Sequence, residues 1–207
     1  MGSDDLFKKA KEIREHRRRI GNRGTGRNLF LIVCEGEQTE PNYFKGFRLT
    51  NVDIFGCGKN TNSLVKEAIR LKKKASKDGK KYDRIWCVFD RDSFTKQCFN
   101  DAFQLARQNN INIAYSNEAF ELWFLLHYNY YDSAISRNDY ERILSQSLGC
   151  EYKKNRRDMY EKLKPLQPIA IRNAERLLGN YRIINPEQDN PSTTVHELIN
   201  ELNKWLK

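Results

Sequence analysis

Apolar residues along the chain alternate between short unbroken runs and helically spaced sets. Leu29 to Val33 is a run of five apolar residues that stops at Cys34-Glu35-Gly36, and Ile85 to Phe89 is a second, stopping at Asp90. An unbroken run closed by an acid or a turn suits a strand buried on both faces of a parallel sheet. Val52 to Phe55, closed by Gly56-Cys57-Gly58, and Ile111 to Tyr115 read as two shorter strands. Between them come helical patterns. Pro41 suits a first helical turn, giving a short helix over Glu40 to Arg48. Asn62 or Ser63 caps a helix through Lys74 with Leu64, Ala68 and Leu71 on one face, and Phe99, Phe103 and Ala106 mark another from about Lys96 to Gln108. Strands and helices alternating at this size predict an α/β fold, a parallel sheet of about four strands with flanking helices.

After Ala119 the pattern turns helical throughout. Phe120 to Tyr128 is apolar nearly all round, which demands burial. Asn138 or Asp139 starts a helix to Leu148, Pro165 and Pro168 introduce one through Leu178, and Ser192 or Thr193 caps a last one with Val195, Leu198, Leu202 and Trp205 facing inward. At the other end, Leu6, Ile13 and Ile20 make only a thin stripe among Lys and Arg before the Gly21 to Gly26 linker. Three parts are expected: a basic arm over 1–27, an α/β core over 28–128, and a helical C-terminal region over 129–207 packed on the core.

Charge sharpens this picture. The 207 residues carry a net charge of +10, and residues 1–28 hold nine Lys/Arg against four Asp/Glu, half of that excess. Such a balance favours polyanions, nucleic acid before anionic lipid. Five cysteines without a Cys-x-x-Cys, and isolated His16, His127 and His196, argue for reduced thiols and against a zinc site. Neither a membrane-length apolar stretch nor a signal peptide is apparent, so a soluble, cytoplasmic protein is expected.

The chemistry concentrates where the two long apolar runs stop. Glu35 ends one strand; Asp90 ends the other, and Asp92 follows on the same side of extended backbone. Open α/β sheets form their sites at such carboxyl edges. Three acids there repel each other unless protons or a cation neutralise them, and oxygen ligands suit Mg²⁺ or Mn²⁺. The bland alternative is that acids end strands because loops are polar. Gly56-Cys57-Gly58-Lys59-Asn60 fails as a phosphate-binding loop, since Asn follows the lysine, and no Gly-x-Ser-x-Gly elbow exists.

A glutamate after the first strand and an Asp-x-Asp after a later one resemble the Toprim domain of topoisomerases, primases and related nucleases. Val33-Cys-Glu-Gly-Glu-Gln-Thr-Glu-Pro-Asn-Tyr-Phe44, Ser116-Asn-Glu-Ala-Phe-Glu-Leu-Trp-Phe-Leu-Leu-His127 and Asn190-Pro-Ser-Thr-Thr-Val-His196 together resemble the RloB-like family. The resemblance covers roughly Asn28 to the C-terminus and departs from the family at Glu118, where a proline is expected. It implies a Toprim-like (Rossmann-like) core acting as a Mg²⁺-dependent nuclease on DNA or RNA in phage defence, beside an ATPase partner. Glu35, Asp90 and Asp92 would be catalytic and hold the metal, with Glu40 as a further ligand. Glu121 either joins them or faces backbone N–H groups in its first helical turn. His127 is a proton shuttle or a hydrogen-bonded core histidine; His196, beside the hydroxyls of Ser192 to Thr194, stands in the same position. Arg91, Lys153, Lys154, Arg156 and Arg157, with Arg17, Arg18 and Arg19 of the arm, are the candidates for gripping phosphates. The rival from another class is a non-catalytic module that binds nucleic acid or a partner, its acidic edge degenerate.

Since half of the charge excess precedes every proposed metal ligand, deleting residues 1–27 should weaken nucleic-acid binding and leave metal binding intact. If the arm contacts about three to five phosphates, the slope of log K against log salt flattens by roughly three to four units. A salt titration of binding, full-length against truncated protein, checks this; an unchanged slope removes the arm from the nucleic-acid interface.

Overall fold

The computed structural model describes residues 28–58, 60–91 and 96–206; the arm with Arg17, Arg18 and Arg19, and Asp92, lie outside the described residues. At its centre is β1 (Phe30–Cys34), buried at every position. It pairs in parallel with β2 (Val52–Gly56) on one side and β3 (Arg84–Asp90) on the other, and β3 pairs in parallel with β4 (Asn112–Asn117). Cys34 stands level with Val88, and Asp90 with Ser116. The carboxyl ends of β1 and β3 are therefore neighbours.

Both central strands have a core on each face, which is why their apolar runs are unbroken. Side chains alternate across a strand. Leu31, Val33, Ile85, Cys87 and Phe89 pack under α2 (Thr61–Lys77) and α3 (Lys96–Gln108) through Leu64, Val65, Ala68, Phe99 and Ala102. Phe30, Ile32, Cys34, Trp86 and Val88 face the other way, toward α1 (Thr39–Lys45), α4 (Glu121–Leu125) and the helices that follow. Those are α5 (Asp139–Leu148), α6 (Met159–Leu163), α7 (Gln167–Gly179) and α8 (Val195–Asn203). Cys34 and Cys87 are buried thiols, as small hydrophobes in these strands should be.

Several boundaries move. Helix α1 starts at Thr39, so Pro41 stands in its first turn rather than opening it. Helix α2 starts at Thr61 because the Asn60 carboxamide accepts from Ser63 N at 3.1 Å, so Asn60 is the cap in place of Asn62 or Ser63. The apolar stretch after Phe120 keeps regular helix only over Glu121–Leu125; Tyr128 N then bonds Leu125 O in a tighter turn. The largest difference is at Ser192 and Thr193. They form a fifth strand, β5 (Ser192–Thr193), antiparallel to β4, while Thr193 Oγ1 still accepts from Val195 N at 3.3 Å where α8 begins. The Thr193 hydroxyl also serves the sheet, with Oγ1 2.9 Å from Ser116 Oγ and donating to Tyr115 O at 2.9 Å, whereas the Ser192 hydroxyl donates to Asp189 O at 2.6 Å. The C-terminal region thus completes the sheet, in the order β2-β1-β3-β4-β5.

An aromatic hub locks the helical layer to the strands. The Tyr43 ring of α1 packs 6.0 Å from Phe120 and 5.4 Å from Phe124 beside and within α4, and 5.7 Å from Tyr160 of α6. Trp123 stands in the same layer, fully buried. Trp123→Ala should cost about 3–5 kcal/mol, read as a lower urea midpoint with an unchanged denaturant slope. A loss below about 1 kcal/mol would mean that this layer packs loosely.

Candidate acidic site at the sheet edge

The register of β1 and β3 generates the site. As β1 ends, Glu35 N donates to Val88 O at 2.9 Å, continuing the ladder one residue further. The Glu35 side chain then reaches across the edge, and its Oε2 accepts from Asp90 N at 3.2 Å. Gly36 follows, and its N–H donates to Glu40 Oε1 at 3.1 Å. A Cβ at Gly36 would collide with the Glu40 carboxylate, so glycine is what lets α1 bring Glu40 back to the strand end. Glu121, in the first turn of α4, is held by Tyr152, whose hydroxyl donates to Oε1 at 3.1 Å.

Glu35, Glu40, Asp90 and Glu121 line one cavity of about 350 Å³, whose cationic wall is Arg137 and Lys154. Glu40 and Glu121 are each 4% exposed. Asp90 Oδ2 lies 3.5 Å from Arg137 Nη2, while Asp90 Oδ1 is buried and, among the described residues, makes no hydrogen bond. Burial pushes the Asp90 carboxyl well above the usual range; Glu40, Glu121 and Glu35 add to this, and Arg137 opposes it. Glu40 is raised too, by burial first, with the Gly36 N–H pulling back and Glu121 pushing up. Among the described residues, no group of three or more His, Cys, Asp or Glu side chains is arranged to hold a metal ion.

The remaining candidates are placed as follows. Lys154 alone of the basic stretch lines the acidic cavity. Lys153 pairs with Glu151 at 3.1 Å on the surface, Arg156 is forked onto Asp158 at 2.8 and 2.6 Å, and Arg157 is exposed. The Arg91 guanidinium lies 5.4 Å from the Phe99 ring centre and 3.5 Å from Glu187 Oε1, beside a second cavity. His127 is buried against Trp123, with Nδ1 2.8 Å from Trp123 O and its pKa lowered to about 4 by burial. His196 is buried in the first turn of α8, and Thr194 Oγ1 accepts from Tyr115 N at 3.1 Å. None of these three lines the acidic cavity. Arg137 and Tyr152 were not singled out from the sequence. Tyr152 adjoins the basic run Lys153 to Arg157, whereas Arg137 sits in a loop with no pattern around it.

Carboxyl groups raised in the folded state bind protons that the unfolded chain has already released. Stability should therefore fall as pH rises from the ordinary carboxylate range through the raised one. Asp90→Asn removes the largest such group. In EDTA its melting temperature should match the parent in acid and exceed it increasingly between about pH 5 and 8. Calorimetry across that range checks the sign; a lower melting temperature throughout would make the Asp90–Arg137 pair a net stabiliser.

Among the described residues, no helix is long and apolar enough to cross a membrane. No curated protein matches the chain. The family model described as RloB-like protein matches residues 30–202, a span that takes in every residue of the acidic cavity, and the chain belongs to the RloB-like family.

Proposed function

We propose that this protein is a metal-dependent nuclease that hydrolyses phosphodiester bonds of DNA or RNA, with Glu35, Asp90 and Asp92 as its catalytic carboxylates. The observation that carries this reading is the buried Asp90 Oδ1, which among the described residues has no hydrogen bond, in a cavity walled by three further carboxylates. An acceptor left bare away from water costs free energy, and repulsion among its neighbours adds to that cost. The donor set fits a hard cation: it is all oxygen and anionic, with neither thiolate nor imidazole, which suits Mg²⁺ or Mn²⁺. Glu35 and Asp90 would hold the ion, with Asp92, Glu40 and Glu121 as further ligands. When bound, such an ion polarises a phosphoryl oxygen and lowers the pKa of coordinated water.

The protein's own groups do the positioning. Asp90 N orients Glu35, Gly36 N orients Glu40, and the Tyr152 hydroxyl orients Glu121. Arg137 and Lys154 supply cationic donors on the wall where a phosphate would enter, Arg137 with a planar fork suited to two phosphate oxygens. The +10 net charge draws the polyanion in. Work in the cytoplasm, in phage defence beside an ATPase partner, belongs to the same reading.

A second reading has its own observation. Each buried carboxylate already has a donor from the protein: Gly36 for Glu40, Tyr152 for Glu121 and Arg137 for Asp90. An edge satisfied in this way suits a binding module that never takes a metal. Calorimetric titration with Mn²⁺, paired with incubation of plasmid, single-stranded DNA and tRNA in Mg²⁺, Mn²⁺ or EDTA, separates the two. The nuclease binds Mn²⁺ and cleaves at least one substrate, and Glu35→Gln and Asp90→Asn each lose about a hundredfold or more of that activity. Binding of nucleic acid with neither Mn²⁺ uptake nor cleavage selects the module.

A further inference from the structure

Beside the acidic cavity lies a larger one, about 510 Å³, lined by Arg91, Asn117, Glu118, Glu187, Gln188 and Asn190. Arg137 is the wall common to both. The second cavity is built rather than left over. Asn117, at the carboxyl end of β4, donates to Asp189 O at 2.9 Å in a buried contact. The Asp189 carboxylate accepts from Asn185 N at 2.6 Å, and the Ser192 hydroxyl donates to Asp189 O at 2.6 Å. Arg91 is held between the Phe99 ring and Glu187. The segment before β5 is thereby tied to the sheet edge as a firm wall.

Every side chain lining this cavity is polar: three carboxamides, two carboxylates and two guanidinium groups. An apolar ligand would gain nothing there. A free phosphate would find Arg91 and Arg137 but also Glu118 and Glu187, which repel it. Asn190 Oδ1 is buried and, among the described residues, accepts no hydrogen bond. The matching ligand carries donors and acceptors together and is flat enough for carboxamides to read its edge. It is also joined to a phosphate that lies at Arg137. Asn and Gln pair with base edges through one donor and one acceptor, and carboxylates accept from exocyclic amino groups. A base paired inside a duplex cannot enter such a cavity; an unpaired or flipped one can.

We propose that this second cavity seats the base of an unpaired nucleotide adjoining the phosphate at the acidic site, and so makes the protein selective for single-stranded or unstacked nucleic acid. This rests on the reading of the acidic cavity as a nucleic-acid site. Asn190 and Gln188 read the base edge, Glu118 accepts from an amino group, and Arg137 holds the connecting phosphate. Base identity is read most strongly where an amino group is present, on guanine, cytosine or adenine.

The test uses the full chain carrying Asp90→Asn, so that binding is measured without cleavage. Its probes are a labelled single strand, the duplex of the same sequence, and a strand of equal length lacking its bases. The single strand should bind about tenfold or more tighter than the base-free strand. Glu118→Ala and Gln188→Ala, side chains that are half-buried and exposed, should each erase most of that preference without moving the melting temperature or Mn²⁺ binding of the otherwise wild-type protein. Equal binding of the base-free strand, or a preference that survives both substitutions, overturns the base seat and leaves a cavity filled by solvent. Cleavage by the wild-type chain is scored separately. Cutting with no base preference sinks this inference alone, whereas a base preference lost in both variants but no cutting sinks the nuclease and keeps the seat.

Discussion

Like charges forced together at the carboxyl ends of β1 and β3 are the constraint around which this structure is arranged. Asp90 and Glu35 arrive there because parallel pairing sets Cys34 level with Val88 and leaves each acid just beyond the last apolar residue. Glu40 and Glu121 are then added from two helices that need not have supplied acids. A fold selected for stability alone would not line one cavity with four carboxyl groups, two of them buried, since burial and repulsion both penalise the charged forms. What holds the cluster is a set of donors from backbone, phenol and guanidinium. These orient the oxygens, yet among the described residues none reaches Asp90 Oδ1. Cost of that kind is commonly carried at sites that act.

The rest of the fold makes that cost tolerable. Cores on both faces of β1 and β3 leave the strands little freedom to splay, so the spacing of Glu35 and Asp90 is fixed by the ladder rather than by their own interactions. The helical layer is fixed by a different means. Tyr43 of α1 packs edge-on against Phe120 and Tyr160, and the same helix carries Glu40. The stretch Phe120 to Phe124 packs there and carries Glu121. Aromatic packing on one side of these segments thus sets the position of a carboxylate on the other. Rotation of α1 or α4 to relieve the repulsion would have to break the hub.

The central strands were readable because burial on both faces writes itself as an unbroken apolar run, and the partnership of Glu35 with Asp90 followed once both runs were parallel neighbours. Local signals failed where a residue's role was decided by something distant. Ser192 and Thr193 look like helix caps; Thr193 does accept from Val195 N, but it also meets Ser116 of β4, 77 residues away, and Ser192 turns to Asp189 O. Tyr152 meets Glu121 across 31 positions, and Arg137 meets Asp90 across 47. No spacing rule reaches so far. The basic stretch failed in another way. Composition makes Lys153, Lys154, Arg156 and Arg157 one patch, but Lys153 and Arg156 spend their charge on Glu151 and Asp158. Only Lys154 reaches the cavity.

Net charge and local charge oppose each other in this chain, and the opposition has a consequence for how a polyanion would be handled. At long range a +10 protein attracts nucleic acid, while inside the cavity four carboxylates repel a phosphate. Arg137 stands between the two regimes. It pairs with Asp90 and lines both cavities. On the nuclease reading, Glu35 and Asp90 would hold a cation whose charge would compete with Arg137 for Asp90, and Arg137 would then be available to a phosphate. Metal and nucleic acid would then bind cooperatively, because each relieves the charge that disfavours the other. An edge that served only to finish the strands would have no such coupling to offer.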